Sequence, residues 1–250
     1  MPTDRENFLD VAFDVLPVDR LLSHIEQVGP DSPFQYLVTP NVDHMVRLHQ
    51  RRTEQPELAE MYRNADLCVC DSKVLALLAR WRGVRLPVVP GSDLTALLFD
   101  RVIAKGDRIA IVGGDDAMLR KLQASYPDVR FVHHSPPMGL ARNAAARRAA
   151  AEFIANANAR FTFICVGSPQ QEMIAAEAAK LGGGHGMALC VGAALEFITD
   201  RQKRAPALAR QLGLEWAHRL LTNPRRMWRR YLVEGPAIFL LAYRWRRSAA

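Results

Sequence analysis

The sequence predicts an α/β fold, a doubly wound, Rossmann-like and mostly parallel sheet that carries a helical, basic C-terminal appendage. Three observations predict it. Short apolar runs alternate with helical stretches from Phe34 to about residue 198. Two of those runs, FTFICVG at 161–167 and MALCVG at 187–192, are apolar throughout, as strands covered by helices on both faces must be. Beyond residue 200 the composition changes, with twelve Lys or Arg against two Glu, a local charge of +10 in a chain whose net charge is +7.

The elements follow in order. Phe34 to Thr39 is rich in aromatic and β-branched residues and reads as a strand, followed by Pro-Asn and a helix from Val42 to about Arg51. Leu67 to Cys70 is a second strand, ending at Asp71-Ser72 before a helix from Val74 to Trp81. Pro87 to Asp93 leads into a helix from Leu94 to Ala104, with Ser92 or Asp93 placed to cap it. Arg108 to Val112 is a strand that ends in Gly113-Gly114-Asp115 and enters a helix through Tyr126. Val129 to His133 is a strand, residues 143–156 an Ala/Arg-rich helix, and 161–167 and 187–192 the last two strands. The core, residues 1–200, gives way to the appendage, 201–250, with an apolar stripe at Leu208, Leu212, Trp216 and Leu220. Asn223-Pro224 starts another helix there and Gly235-Pro236 interrupts it.

Composition narrows the class. With 49% hydrophobic and 24% charged residues, 250 residues suffice for a packed core and argue against extended disorder. Cys68, Cys70, Cys165 and Cys190 lie in apolar runs and read as core thiols, with no second pair at a zinc-site spacing. The N-terminus mixes acids with apolar residues, unlike a secretory signal, and the longest apolar run of the tail, Ile238 to Tyr243, falls far short of a bilayer span. A cytoplasmic protein, peripheral on the inner face of the membrane, is the expectation.

In an open parallel sheet the ligand lies at the carboxyl ends of the strands. Thr39 and Asn41, Asp71 and Ser72, Gly113 and Gly114, Gly167 to Glu172, and Gly192 should therefore converge along one edge. Asp71 stands where a carboxylate reaches the crevice, and equally where it would cap the helix at Val74. Gly113-Gly114 suits either a phosphate at a helix start or a plain tight turn. Glu172 suits a polar contact or the dipole of its own helix. His133 and His134 point to opposite faces and cannot share a metal ion; His44, early in a helix, reads as a surface or cap residue, and His185, among glycines in a loop, has no evident partner. The tail's arginines alternate with Trp216, Trp228, Tyr231, Tyr243 and Trp245, which favours a membrane surface over nucleic acid. Exposed apolar residues in a detached tail also favour homo-oligomers.

Pro90-Gly91-Ser92-Asp93-Leu94, Gly167-Ser168-Pro169-Gln170-Gln171-Glu172, Lys203-Arg204-Ala205-Pro206, and Gly213-Leu214-Glu215-Trp216 with Arg219-Leu220 and Pro224-Arg225-Arg226 together resemble the WecG/TagA/CpsF family of bacterial glycosyltransferases, over about residues 35–231. The resemblance implies metal-independent, inverting transfer from a UDP-sugar, a substrate and not a cofactor, to a sugar on an undecaprenyl diphosphate carrier. It implies Asp71 as general base, Thr39, Asn41 and Gln171 around the reacting sugar, and Arg219, Arg226 and Arg229 against the nucleotide diphosphate. Gly113, Gly114, Glu172 and Gly192 complete the expected binding set. The chain departs from the family pattern at Ser72, where glycine is usual, and at Val88, where arginine is usual; Arg85 stands near enough to substitute. A glucosyl donor for exopolysaccharide or another surface polysaccharide is the leading expectation. N-acetylmannosaminyl or N-acetylmannosaminuronosyl transfer, or nucleotide-sugar or nucleic-acid binding without turnover, are the alternatives.

Overall fold

The computed structural model describes residues 4–199, 201, 206, 209 and 213–246. Its strands are β1 (Arg5–Phe8), β2 (Val11–Asp14), β3 (Gln35–Val38), β4 (Leu67–Cys68), β5 (Arg108–Val112), β6 (Arg130–His134), β7 (Phe161–Ile164) and β8 (Met187–Cys190). Its core helices are α1 (Val18–Glu26), α2 (Val42–Arg51), α3 (Glu57–Arg63), α4 (Lys73–Trp81), α5 (Gly91–Arg101), α6 (Asp116–Ser125), α7 (Ala144–Asn156), α8 (Gln170–Leu181) and α9 (Ala194–Ile198). Six strands form one sheet in the order β4-β3-β8-β7-β5-β6, every neighbouring pair parallel. All six carboxyl ends therefore lie on one edge, as a doubly wound α/β sheet requires.

Alternation along each strand divides the core into two layers. Tyr36, Val38, Ala188 and Cys190 face one layer with α2, α4, α7 and α8. Leu37, Met187, Leu189, Phe161 and Phe163 face the other with α1, α5, α6 and α9. α2 and α8 thus leave β3 and β7 on one side, whereas α9 leaves β8, which lies between those strands, on the other. Neighbouring strands that send their helices to opposite faces open a crevice at the carboxyl edge. Cys68 and Cys70 share a layer, and all four cysteines are free thiols.

Several boundaries move for local reasons. β4 is only two residues long, and past it Cys70 bridges Val88 on the outer side. α5 begins at Gly91, three residues earlier than expected, with Pro90 at the cap position, so Ser92 and Asp93 lie inside its first turn and do not cap it. The N-terminal hairpin β1–β2 carries no turn signal in its sequence: Leu9 and Asp10 both adopt positive φ, 53° and 62°, where glycine or asparagine is usual. The hairpin shields the sheet edge, since Asp14 Oδ2 accepts the Cys68 amide at 2.6 Å while Arg5 pairs with Asp14 and donates to the Ala65 and Asp66 carbonyls.

The C-terminal segment forms helices Glu215–Thr222 and Pro224–Trp228, a π-helical turn Arg229–Glu234 and a last helix Ala237–Arg244. Pro224 opens its helix, and Gly235-Pro236 separates the last two elements, as the sequence indicates. The last helix is not detached. Ile238 and Ala242 are buried in the layer of α2 and α4, Trp245 packs edge-on against Phe8 at 5.2 Å, and Arg82 donates to the Trp245 carbonyl. Among the described residues no helix is long and apolar enough to cross a membrane.

Candidate active site

Asp71 follows β4 at the carboxyl edge and is partly exposed. Two readings stood open for it, catalyst and cap of the next helix. The structure gives the cap of α4 to Ser72, whose hydroxyl accepts the Leu75 amide at 3.3 Å. Asp71 instead reaches the neighbouring helix, where its Oδ1 accepts the Gly91 amide, the first of α5, at 2.7 Å. A carboxylate supplied from another strand thereby fills the cap position that Pro90 cannot serve with a side chain. Asn41 Nδ2 donates to Asp71 Oδ2 at 3.3 Å, and Asn41 Oδ1 accepts the Asp43 and His44 amides at the start of α2. Asp71 is thus held from two sides, by the first amide of α5 and by Asn41, which follows β3.

Thr39, Gln171 and Gly192 meet behind that carboxylate. The Thr39 hydroxyl donates to the Cys190 carbonyl at 2.9 Å and packs against Gly91, where an added Cβ would stand 3.3 Å from Thr39 Oγ1. Gln171 Nε2 donates to Glu172 Oε1 at 2.8 Å and to the Cys190 carbonyl at 3.2 Å, while its Oε1 accepts the Gly192 amide at 2.9 Å. Gln171 is 2% exposed and Glu172 fully buried. Both side chains, expected in the binding set, make their hydrogen bonds within the fold. Gln171 ties the loop after β7 to the turn after β8, Glu172 lies beneath it, and Thr39 secures the same carbonyl.

Glu172 belongs to a buried polar cluster. His44 Nδ1 stands 3.9 Å from Glu172 Oε1 and 3.2 Å from Tyr62 Oη. Burial, with the Arg47 and Arg230 cations beside it, holds His44 well below its ordinary pKa. Burial pushes Glu172 up, against the opposing pull of Gln171, Ser168 and Arg47. Both groups are therefore drawn toward their neutral forms. His133 and His134 do point apart: His133 Nε2 lies 3.0 Å from the Gly113 carbonyl, and His134 stacks on Phe153. Among the described residues no three His, Cys, Asp or Glu side chains stand close enough to hold a metal ion.

After β5 the chain bends at Gly113-Gly114, both at positive φ. The Gly113 amide donates to the His134 carbonyl at 2.9 Å and so continues the sheet, and a Cβ there would stand 2.8 Å from Val166, at a φ of 94°. The Gly113 amide, expected in the binding set, is thus engaged within the sheet. Asp115 caps α6 and pairs with Arg201, whose guanidinium, with the Met118 amide, holds the carboxyl down at about 2.

The appendage returns to the same edge. Gly213 approaches Lys73, two residues beyond Asp71, so closely that a Cβ would stand 3.1 Å from Lys73 Cβ. Arg229 pairs with Glu234 at 3.1 Å and is largely exposed. Arg219 and Arg226 lie on the two helices after Gly213, and their side chains fall outside the described residues, as do Lys203, Arg204, Ala205, Leu208 and Leu212. Sequence reasoning missed Asp43, Arg47 and Arg230: Asp43 Oδ2 accepts Arg47 Nη2 at 2.5 Å and Arg230 Nη2 at 3.3 Å. It also read Ser92 or Asp93 as the cap of α5, when Asp71 accepts the Gly91 amide at the start of that helix. Asp43 and Arg47 stand one turn apart on α2, whereas Arg230 and the Gly91 amide meet their partners only when the fold assembles, because those pairs are remote in sequence.

A comparison with family models matches residues 6–250 to the one described as the glycosyl transferase WecG/TagA/CpsF family. The match spans the N-terminal hairpin from its second residue, the whole six-stranded sheet and the appendage.

Proposed function

Because the chain belongs to the WecG/TagA/CpsF family and is a glycosyltransferase, we propose that it transfers a hexosyl residue, with inversion and without a metal, from a UDP-sugar to a sugar on an undecaprenyl diphosphate carrier. Glucose is the proposed donor sugar, and exopolysaccharide or another surface polysaccharide the product. One observation carries the reading. The carboxylate of Asp71 stands partly exposed at the carboxyl edge, oriented by the Gly91 amide and by Asn41 Nδ2. In the proposed mechanism Asp71 takes the proton of the acceptor hydroxyl as that oxygen attacks the anomeric carbon, so inversion follows from a single displacement. Asn41 orients the carboxylate, and Thr39 and Gln171 fix the turns around it. Arg219, Arg226 and Arg229 supply positive charge to the departing UDP, with Gly114 and Gly192 bordering the donor.

The membrane surface is the proposed workplace. Leu77 and Trp81 of α4, and Phe239 and Tyr243 of the last helix, are each exposed pairs one helical turn apart, and Trp81 stacks on Tyr243 at 6.4 Å. Arg80, Arg82, Arg244 and Arg246 flank these rows. An apolar strip edged with arginine suits an interface with acidic headgroups. The proposed interfacial face therefore includes α4, and the Ile238–Ala242 face of the last helix is reserved for the core.

Release of UDP from a panel of UDP-sugars, with a polyprenyl-diphosphate-linked acceptor in anionic vesicles and EDTA present, tests the proposal. The expected result is acceptor-dependent release that EDTA leaves intact. Release that needs an added divalent ion, or none from any donor, would overturn it.

A further inference from the structure

Asp43 has no part in the reaction above, yet it links the residue that orients Asp71 to the C-terminal segment. Its backbone amide donates to Asn41 Oδ1 at 3.1 Å, and Asn41 in turn holds Asp71. Its carboxylate accepts Arg47 Nη2 at 2.5 Å and Arg230 Nη2 at 3.3 Å, at a site where Asp43 is 13% exposed and Arg230 32%. Arg47 Nη1 goes on to donate to Ser168 Oγ at 3.1 Å. Ser168 begins the loop that delivers Gln171, and Gln171 holds the Gly192 amide and the Cys190 carbonyl.

From this we infer that Asp43 is a positioning residue that couples seating of the C-terminal segment to the order of the reaction edge. Arg230 is the segment's contribution. When the π-helical turn seats, its guanidinium shares the Asp43 carboxylate with Arg47 and fixes the side chain that sends Arg47 to Ser168. When it lifts, Arg47 loses a restraint and the loop of Ser168 to Gln171 gains freedom. Screening is weaker at this partly buried site than on an open surface, so the contact transmits more than an exposed pair would. The last helix, docked through Ile238 and Ala242, holds the same segment from its other end. The inference deepens the proposed function and rests on it only in naming this edge the reaction edge.

Backbone hydrogen exchange on the full-length chain, without any substrate, tests the coupling apart from the function. In Asp43→Asn the amides of Ile238 and Trp245, bonded to the Gly235 and Leu241 carbonyls, should exchange on the order of tenfold faster, equivalent to about 1.4 kcal/mol. The Gly192 amide, bonded to Gln171, should quicken with them, while β5 and β7 stay unchanged. Arg230→Met, which keeps the aliphatic stem, should reproduce the pattern should Asp43→Asn fold poorly, and Asp43→Glu should restore slow exchange at both places. Faster exchange at 238–245 with Gly192 unmoved would reduce Asp43 to a local anchor and overturn the coupling. No change at either place would remove the latch altogether. Coupling without measurable transfer would leave this inference standing and sink the proposed function.

Discussion

Replacing Gln171 with leucine keeps the bulk of a buried side chain and deletes its amide, and the cost can be worked out bond by bond. The wild-type amide makes three hydrogen bonds at 2.8, 2.9 and 3.2 Å in a site that is 2% exposed. The Cys190 carbonyl keeps the Thr39 hydroxyl at 2.9 Å and is not orphaned. The Gly192 amide loses its acceptor and the buried Glu172 carboxyl loses the Gln171 donor. At about 1–3 kcal/mol for each buried polar group left unpaired, the variant should lose about 2–6 kcal/mol of folding stability. Urea unfolding followed by tryptophan fluorescence reads this as a lower midpoint at an unchanged slope. If Gln171 instead met the donor through its amide, the variant would lose donor affinity and keep its stability. A loss below about 1 kcal/mol together with weakened UDP-sugar binding would therefore refute the positioning role.

Other perturbations reach separate parts of the account. Ile238→Ala should cost the seat of the last helix about 2–5 kcal/mol as a buried large-to-small change, and trypsin should cut the arginines of the tail faster; an unchanged digestion rate would contradict the docking. Trp81→Ser combined with Tyr243→Ser should lower co-flotation with anionic vesicles while leaving the melting temperature within a few degrees, and full flotation would remove α4 from the proposed membrane face. The buried pair sets opposing pH effects. His44 is held below 6.5, so below that pH the unfolded chain binds a proton that the folded chain refuses, and stability falls. Glu172 is raised above 4.5, so above that pH the folded chain keeps a proton that the unfolded chain releases, and stability again falls. Glu172→Gln removes the second effect, so its melting temperature should gain on the wild type as the pH rises from 4.5; a constant difference would count against burial as the cause.

How much of this was legible in the sequence depends on whether the cause was local. Helix α2 and strand β5 stand at their expected boundaries because apolar periodicity and flanking turn residues define them within one window. The β1–β2 hairpin was silent because Leu9 and Asp10 take up a conformation that their residue types do not advertise. Asp71, Asn41, Thr39 and Gly192 were singled out because strand ends of a parallel sheet share an edge, a topological fact that needs no distances. Their partnerships were not legible. Asp71 caps a helix that begins 20 residues later, and Gln171 reaches across 21 residues to Gly192. For the same reason Gln171 read as a substrate contact: a polar residue in a loop motif is ambiguous until the fold decides whether its amide faces solvent or its own chain. The last helix read as a membrane element since its sequence carries no sign that α2 and α4 cover one side of it.

The central claim is that the carboxylate of Asp71 is the base of the transfer, and Asp71→Asn tests it most directly. Asparagine keeps an oxygen for the Gly91 amide and removes the proton acceptor, so the helix start survives while the chemistry does not. The measurement is single-turnover transfer to a lipid-linked acceptor alongside UDP-sugar affinity for the same variant. The account predicts a rate lower by about 10²–10⁴-fold with donor affinity and melting temperature close to those of the wild type. Transfer at the wild-type rate would contradict it.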